Sequence, residues 1–276
     1  MNKYSVITSI YKKDKPEFVR VALDSMLVEQ TVKPSEIVLV RDGQVLEELN
    51  SLINEYEARY PDIFNIIRLE QNGGLGKVLQ LGVEKAKYDI VARMDSDDIC
   101  LPNRFELQLK YLDGHPEVDI VGGQMTEFID IPENIIGKRV VPCTNDEIYD
   151  YMKSRCALNH VTVMFRREAV LKTGNYQDWF WNEDYYLWVR MMMVKCKFAN
   201  VPEVLVNVRS GADQYARRGG MKYFNSEALL QKYMLEHKVI SLPKCLYNIA
   251  IRWAVQVAMP NSFRGWVFKT FARKKY

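Results

Sequence analysis

The 276-residue chain lacks several features that would assign it to other protein classes. It contains no run of 18 or more apolar residues, so no membrane-spanning helix is expected. Its five cysteines are odd in number and widely spaced, unlike the close pairs of zinc knuckles and redox motifs, which favours reduced thiols in the cytoplasm. The first residues enter a strand pattern at once and do not resemble a signal peptide.

Acidic residues are absent after Glu236, whereas eight of the 38 Lys and Arg residues lie beyond it. Residues 1–236 therefore hold 30 cations against 35 acids, and a mildly acidic body precedes a basic end. An acidic body argues against nucleic-acid binding. A basic end of this kind indicates contact with an anionic surface.

The basic end also carries apolar and aromatic residues. Residues 245–258 predict a helix, and the stretch after it mixes large apolar side chains with cations: Phe263, Arg264, Trp266, Val267, Phe268, Lys269, Phe271, Arg273, Lys274 and Lys275. This mixture is typical of a peptide at a membrane interface, here the inner face of the cell membrane. A helix pair packed on the body, or a dimer contact, is the alternative.

Strand and helix patterns alternate over the first hundred residues. The apolar periodicity predicts strands at 4–10, 36–41, 63–69 and 88–94, with helices at 16–29, 46–60 and 77–87. This order predicts an α/β fold with a mostly parallel, doubly wound sheet. Ligands of such sheets bind beyond the carboxyl ends of the strands, and Asp42 and Asp95 lie at two of those ends.

The second half is less regular. Its patterns predict helices at 103–114, 145–156, 168–173, 184–195 and 222–236, and strands at 118–122, 161–165 and 204–208. Gly174 is expected to end the short helix before it. The chain contains no internal repeat and no low-complexity segment.

The segment Asp95-Ser96-Asp97-Asp98 follows an apolar strand. Residues two apart in an extended segment face the same way, so Asp95 and Asp97 are expected to face one ion or ligand. Carboxylates suit Mg²⁺ or Mn²⁺, which also bind diphosphates. Most such pairs are solvated turns or helix caps, and Asp98 is expected to cap, in part, the helix after Pro102.

Three further segments have both a structural and a chemical interpretation. Asp42-Gly43 fits a turn, or a carboxylate that accepts from a nucleobase N–H. Residues 72–76, Asn-Gly-Gly-Leu-Gly, fit a turn, or a set of backbone amides for phosphate. Glu183 and Asp184 fit a helix start stabilised by free N–H groups. Alternatively, one of them is a catalytic base that removes a proton from an attacking hydroxyl.

Taken in order, these segments resemble glycosyltransferase family 2, the inverting enzymes with a GT-A type nucleotide-sugar fold. The resemblance extends over about residues 3–210 and rests on VITSIY at 6–11, LDSMLVEQT at 23–31, IVLVRDG at 37–43, NGGLG at 72–76, ARMDSDD at 92–98, Pro102, Arg104 and EDYYLW at 183–188. The matching order makes the set more specific than any one motif. The proline common after the first strand is replaced by Ser9, and Arg41 stands where a second Asp often precedes Asp42.

The resemblance implies a nucleotide diphosphate sugar as donor, a UDP-sugar, and Mn²⁺ or Mg²⁺ as cofactor. It places Asp42 on the nucleobase, Asp95 on the ribose or donor sugar, Asp97 on the metal and Asp184 as the base, with Glu183 near the acceptor. The other expected donor contacts are Thr8, Ile10, Asn72, Gly76, Lys77, Arg93, Ser96, Arg217 and Arg218. His160 and Trp181 are expected on the acceptor side. Arg217 and Arg218 belong to a basic loop that fits either a lid over the diphosphate or a surface loop.

The expected organisation is a GT-A type catalytic domain at 1–220, divided into a donor half at 1–100 and an acceptor half at 101–220. A C-terminal helical appendage, basic and aromatic, covers 221–276. The expected acceptor is a glycan or a lipid-diphosphate-linked saccharide of cell-surface polysaccharide assembly. The protein is expected in the cytoplasm, with peripheral contact to the inner membrane face.

Two other functions remain open from the residues alone. One is a sugar-nucleotide-binding scaffold without turnover, against which Asp95, Asp97 and Asp184 all argue. The other is a sugar nucleotidyltransferase, which would require a glycine-rich, lysine-bearing signature near the first strand, and none is present. The sequence leaves the oligomeric state open.

Overall fold

The computed structural model of the protein describes residues 3–211 and 219–259. In this part of the chain nine strands form one mixed sheet in the order β3-β2-β1-β4-β8-β6-β9-β5, with β7 paired to β6. Their bounds are β1 Tyr4–Tyr11, β2 Glu36–Asp42, β3 Phe64–Arg68, β4 Ile90–Arg93, β5 Ile99–Cys100, β6 Ile120–Phe128, β7 Ile135–Arg139, β8 Met164–Arg166 and β9 Phe198–Arg209.

The predicted parallel sheet is confirmed. Strand β1 pairs in parallel with β2 and β4, and β2 pairs in parallel with β3. Their β-branched and leucine residues are buried on both faces, as the crossover helices of a doubly wound sheet require. Asp42 and Arg93, the last residues of β2 and β4, therefore lie at the same carboxyl edge.

Helices cover both faces of the sheet. Their bounds are α1 Pro16–Leu27, α2 Glu47–Arg59, α3 Leu75–Lys85, α4 Arg104–Gly114, α5 Asn145–Met152, α6 Arg167–Lys172, α7 Glu183–Met193, α8 Met221–Glu236 and α9 Leu242–Trp253. One core cluster joins the sheet to α1, α2 and α4, and the other joins it to α3, α5, α6, α7 and α8. The two clusters make a three-layer α/β architecture.

The second half departs from the prediction in several places. Strands β6 and β9 are longer than the predicted 118–122 and 204–208, because polar residues within them, such as Thr126 and Asn200, are buried and hydrogen-bonded. The predicted strand 161–165 is wrong in its first part, where His160–Thr162 forms a 3-10 turn held by the Asn159 carbonyl. The sequence patterns do not predict β5 and β7, which are short.

The C-terminal appendage is helical as far as it is described: α8, α9 and a π-helical turn at Ala254–Ala258. No helix in residues 3–211 or 219–259 is both long and apolar enough to span a bilayer. The aromatic and basic residues from 263 onward lie outside the described residues.

Candidate active site

The Asp-x-Asp loop, residues 94–98 with Asp95 and Asp97, is fixed by a strand at each end. Strand β4 precedes it in the middle of the sheet, between β1 and β8, and β5 follows it at the edge, paired to β9. The Met94 amide donates to the Ile7 carbonyl at 3.1 Å. The loop thus lies at the carboxyl edge of the parallel strands, as predicted for a ligand site.

Arg93 lies beneath this loop and is 3% exposed. Both of its terminal nitrogens donate to the two carboxylate oxygens of Asp95, one of them at 2.8 Å. A bidentate pair of this geometry is among the stronger hydrogen-bonded ion pairs. The charge of Asp95 is therefore compensated from within the protein.

Asp97 has no such partner among the described residues. Its carboxylate reaches solvent at the rim of the loop, and only its backbone carbonyl is engaged by a side chain, at 3.2 Å from Nε of Arg209. Partial desolvation and the neighbouring charge of Asp95 raise the pKa of Asp97 to about 6. Asp97 is thus a carboxylate whose ionisation a bound cation would favour.

The expected capping role of Asp98 is wrong. Helix α4 has Asn103 at its N-cap position, and Asp98 instead accepts the Arg209 backbone N–H at 2.8 Å. Burial and then the charge of Asp97 hold the pKa of Asp98 well above its usual range. Asp98 therefore ties the loop to the end of β9.

The carboxylate oxygen atoms at this site would bind a divalent cation only together with oxygen atoms of a bound ligand. In the described part of the chain, no cluster of three or more His, Cys, Asp or Glu side chains could hold a metal. Asp97 and Asp95 offer hard oxygen atoms, the type that Mg²⁺ and Mn²⁺ prefer, and a diphosphate would supply more. Such a cation would also relieve the repulsion that raises the pKa of Asp97.

Asp14, in the turn after β1, belongs to this site and carries no sequence signal. Its carboxylate accepts from the Tyr11 amide at 3.0 Å and from Ser96 Oγ at 2.9 Å. Desolvation, followed by the charges of Asp97 and Asp95, raises the pKa of Asp14 to about 7. Ser96, an expected donor contact, is thus held by Asp14.

Asp42 organises the loop that begins at Asn72. Its carboxylate accepts the Gly73 amide at 2.6 Å, the Gly74 amide at 3.2 Å and the Asn72 side-chain amide at 2.7 Å. Gly43 permits this approach, because it has φ +81° and a Cβ there would lie 2.7 Å from the Asn72 nitrogen. A carboxylate offers about four acceptor positions, so one stays open to a nucleobase N–H.

We expect Asp42→Asn to lower the free energy of unfolding by about 2 kcal/mol. An asparagine has one acceptor oxygen, and its amide would face another donor in the 72–74 loop. Urea denaturation measures the loss. Asp62→Asn, which changes an exposed aspartate before β3, serves as the control, and equal midpoints for the two variants would contradict the assigned role.

The other expected donor residues lie either at the start of α3 or in β1. Gly76 and Lys77 lie in the first turn of α3, where no side chain caps the free amides. Gly76 also faces the Gln177 carbonyl, 3.2 Å from where a Cβ would lie, so its small size serves packing. Thr8 is buried with Oγ1 unpartnered among the described residues. The side chain of Ile10 is fully buried in the core, so a donor contact at this position would involve its backbone.

Helix α7 presents Glu183 and Asp184 in its first turn. Desolvation and then the charge of Asp184 raise the pKa of Glu183 to about 7, and desolvation raises the pKa of Asp184 against the opposing backbone N–H of Tyr185. The charge of Arg93 acts on both carboxylates and on Asp97. The Arg93 amide also donates to the Val163 carbonyl at 2.9 Å, directly after the His160–Thr162 turn, so β4 enters the Asp95–Asp97 loop beside this turn.

His160 lies beside this acid pair. Its Nδ1 is 3.9 Å from Asp184 Oδ2, and its Nε2 is 3.0 Å from the Tyr176 hydroxyl. Burial, with the Arg93 charge, holds the pKa of His160 well below its usual range, so the imidazole is neutral. Cys156 Sγ lies 3.9 Å from the same Asp184 oxygen. Sequence reasoning missed Tyr176 and Cys156, which belong to no motif.

Trp181 lies just before α7 and is 49% exposed. Its ring stacks on Phe180, with centroids 4.7 Å apart, and its backbone has φ +56°. A left-handed conformation is unfavourable for a bulky residue and is found mainly where the surroundings impose it. The structure therefore fixes an exposed aromatic face next to Glu183. Arg217 and Arg218 lie outside the described residues.

We expect Glu183→Gln to stabilise the protein above neutral pH. A carboxyl whose folded pKa is raised binds its proton more tightly when folded, so folding loses stability as pH rises from the ordinary Glu value toward about 7. Removing the charge should recover about 2 kcal/mol at pH 8 and little at pH 4. Thermal denaturation at both pH values tests this expectation, with Glu168→Gln, an exposed first-turn Glu of α6, as the control. Equal gains at both pH values would contradict it.

A doubly wound parallel sheet with an Asp-x-Asp loop at its carboxyl edge is the arrangement of a GT-A type glycosyltransferase. The chain belongs to glycosyl transferase family 2, whose model matches residues 5–180. The match ends before Glu183, so the family model leaves the acid pair of α7 unassigned.

Two curated bacterial relatives extend the comparison. The chain is 38% identical over 274 residues to the UDP-Gal:alpha-D-GlcNAc-diphosphoundecaprenol beta-1,3-galactosyltransferase of Escherichia coli, covering 99% of this chain and 97% of that protein. It is 40% identical over 235 residues to the amylovoran biosynthesis glycosyltransferase AmsE of Erwinia amylovora, covering 85% and 86%.

Solved structures show the same fold at low identity. S. aureus TarS 1-349 in complex with UDP-GlcNAc superposes with a TM-score of 0.65 at 17% identity, over 96% of this chain and 75% of that one. The mannosyltransferase PcManGT of Pyrobaculum calidifontis, in complex with GDP-Man and Mn²⁺, gives a TM-score of 0.58 at 16% identity, over 98% and 79%. The predicted fold class and family are thus confirmed.

Proposed function

We propose that this glycosyltransferase transfers a sugar from a UDP-sugar, with inversion, to a hydroxyl of a lipid-diphosphate-linked saccharide in cell-surface polysaccharide assembly. The observation that carries the proposal is the proximity of the two acid pairs: Arg93, which leads into the Asp95–Asp97 loop, donates its amide to the Val163 carbonyl at 2.9 Å, and His160 in the adjoining turn lies 3.9 Å from Asp184. The E. coli relative, named for a UDP-Gal donor and a diphosphoundecaprenol acceptor, supports this substrate class.

Asp184 is the proposed catalytic base. It takes the proton of the acceptor hydroxyl, whose oxygen bonds to the anomeric carbon from the face opposite the diphosphate. The bond from that carbon to the diphosphate oxygen breaks, and the nucleoside diphosphate leaves with the electron pair. A raised pKa makes Asp184 a stronger base than an ordinary aspartate. His160, neutral and close to Asp184, positions this carboxylate without competing for the proton.

Asp97 is the proposed protein ligand of Mn²⁺ or Mg²⁺. When bound, the ion offsets the charge of the diphosphate. Asp95, already neutralised by Arg93, is free to accept from a sugar or ribose hydroxyl without adding net charge. The Mn²⁺ of the PcManGT complex supports a divalent metal.

The remaining predicted residues have proposed roles around the base, Asp184, and the metal ligand, Asp97. The 72–74 loop held by Asp42 and the free amides of α3 receive the nucleotide, and Arg217 and Arg218 are proposed partners of its diphosphate by charge alone. The exposed ring of Trp181 offers a stacking face to the acceptor saccharide. Domain bounds at 1–220 and 221–276, and a place on the inner membrane face, belong to the same proposal.

A donor panel tests the proposed function. UDP-galactose, UDP-glucose, UDP-GlcNAc and GDP-mannose are each incubated with Mn²⁺ and a synthetic GlcNAc-diphospholipid, and release of nucleoside diphosphate is followed. We expect one UDP-sugar to be turned over, acceptor-dependent release, and loss of turnover in EDTA. Binding of donor without release would instead indicate a scaffold, and turnover of GDP-mannose alone would refute the UDP assignment.

A further inference from the structure

Helix α9 directs polar side chains toward the body of the protein and apolar side chains toward solvent. Its inward face carries Asn248 and Arg252: Asn248 donates to the Gln231 side chain at 2.7 Å, and Arg252 pairs with Glu227 at 3.0 Å. Gln256, in the π-helical turn, donates to Glu227 as well. An ordinary surface helix buries its apolar residues and exposes its polar ones. Here the polar side chains hold the helix to the body.

The outward face of α9 is apolar. Its exposed large side chains recur at helical spacing, with exposures of 45% to 60%: Leu242, Leu246, Tyr247, Ile251 and Trp253. No acidic residue occurs anywhere in the helix. Several exposed large apolar side chains on one helix of a folded protein indicate an interaction site. We call these five residues the α9 face.

A basic cleft adjoins the start of α9. It has a volume of about 660 Å³, and its lining combines three lysines and one acid with apolar side chains: Lys153, Lys238, Lys244, Asp150, Leu235, Val239 and Ile240. Lys153 pairs with Asp150 at 3.2 Å, whereas Lys238 and Lys244 have no ion-pair partner within residues 3–211 and 219–259. Cations among apolar side chains, beside an exposed apolar face, match the layering of phosphate headgroups over acyl chains.

We propose that the α9 face and the basic cleft dock this protein onto an anionic phospholipid bilayer. Charge decides between a bilayer and a second copy of the chain. Lys244 belongs both to α9 and to the cleft, where three lysines outnumber Asp150, so two copies paired through the α9 face would bring like charges together. An anionic headgroup supplies the missing negative charge.

The docking surface lies next to the proposed acceptor site, and this step rests on the proposed function. Asn248 donates to the Lys153 carbonyl at 2.8 Å and Arg252 to the Ser154 carbonyl at 2.7 Å. Two residues further on, Cys156 lies 3.9 Å from Asp184. The segment that receives α9 thus leads to the base, and a saccharide anchored in the bilayer would approach Asp184 from this side.

Vesicle sedimentation of the full chain tests the docking surface. The vesicles contain phosphatidylcholine alone or phosphatidylcholine with an equal amount of phosphatidylglycerol, and no nucleotide sugar is present. We expect binding to the mixed vesicles, weakened about tenfold in the double variant Leu246→Ser/Ile251→Ser and about tenfold in Lys238→Gln/Lys244→Gln. The controls are Leu46→Ser/Ile131→Ser and Lys33→Gln/Lys110→Gln, which change exposed residues elsewhere.

Two outcomes would overturn the proposal. One is binding of both α9 variants at the wild-type level, which would assign any membrane contact to residues 260–276. The other is a wild-type dimer in analytical ultracentrifugation that the Leu246→Ser/Ile251→Ser change dissociates while vesicle binding is unaltered. The rate of transfer to a detergent-soluble short-chain acceptor should be unaltered in these variants. This assay reports folding and the proposed function, whereas vesicle sedimentation reports membrane binding alone.

Discussion

Asp184→Asn should lower kcat about a thousandfold while leaving donor affinity near the wild-type value. The change removes the proposed proton acceptor but keeps the size of the side chain and its place in the first turn of α7. In the proposed function, donor binding depends on the Asp95–Asp97 loop and the 72–74 loop, and the hydrogen bonds described for these loops do not involve Asp184. Calorimetric titration with UDP and steady-state transfer assays measure the two quantities separately.

Asp146→Asn is the matched control, because Asp146 is an exposed aspartate in the first turn of another helix, α5. The pH profile adds a second readout. Since the base must be ionised and burial raises the pKa of Asp184, wild-type activity should fall on the acid side at a higher pH than an ordinary aspartate would give. The residual activity of Asp184→Asn should lack this acid limb. A kcat within tenfold of wild type would show that Asp184 is not the base and would leave Glu183 or another group in that role.

Asp97→Asn should lower kcat/KM for the donor about a hundredfold or more and weaken Mn²⁺ binding in the presence of UDP. Electron paramagnetic resonance of free Mn²⁺ measures the binding without turnover. Because the pKa of Asp97 is raised to about 6, protons should compete with the cation in the wild type as pH falls through that value. Wild-type and variant affinities that agree at pH 8 would contradict the assigned ligand.

Asp95→Asn separates the two aspartates of the loop. It leaves Arg93, 3% exposed, without its bidentate partner, so the free energy of unfolding should fall by about 2 kcal/mol. Asp97→Asn removes a carboxylate that is partly desolvated and repelled by Asp95, so it should not destabilise the fold. Urea denaturation of both variants at pH 8 gives this contrast. An equal fall in the free energy of unfolding of the two variants would contradict the proposed roles, in which Asp95 pairs with Arg93 and Asp97 does not.

The parallel half of the fold was predictable because its strands are buried on both faces. Their runs of Val, Ile and Leu end at turn or acidic residues such as Asp42, which sets each strand's limit. The same reasoning failed for the second part of β6, because Gly123 and Thr126 follow the predicted strand end at 122 and are nevertheless buried in the strand. Two-residue β5 carries too few side chains for any period and exists only through its pairing with β9.

The site was predictable where a residue type and a strand end coincide, as for Asp95 and Asp97. The pairings that tune these acids were not, because they join distant parts of the chain. Asp14 reaches Ser96 across 82 positions, and Arg209 holds Asp98 across 111. Such partners follow from the folded sheet order, and a single sequence carries no signal for them.

The anomeric configuration of the product tests the central claim most directly. The protein is incubated with the UDP-sugar that the donor panel selects, Mn²⁺ and the GlcNAc-diphospholipid, and the new linkage is read by nuclear magnetic resonance. An α-linked donor should yield a β-glycoside in the wild type, and Asp184→Asn should form far less product in the same time. An α-glycoside would contradict single displacement with Asp184 as the base, and so would wild-type yields from the variant.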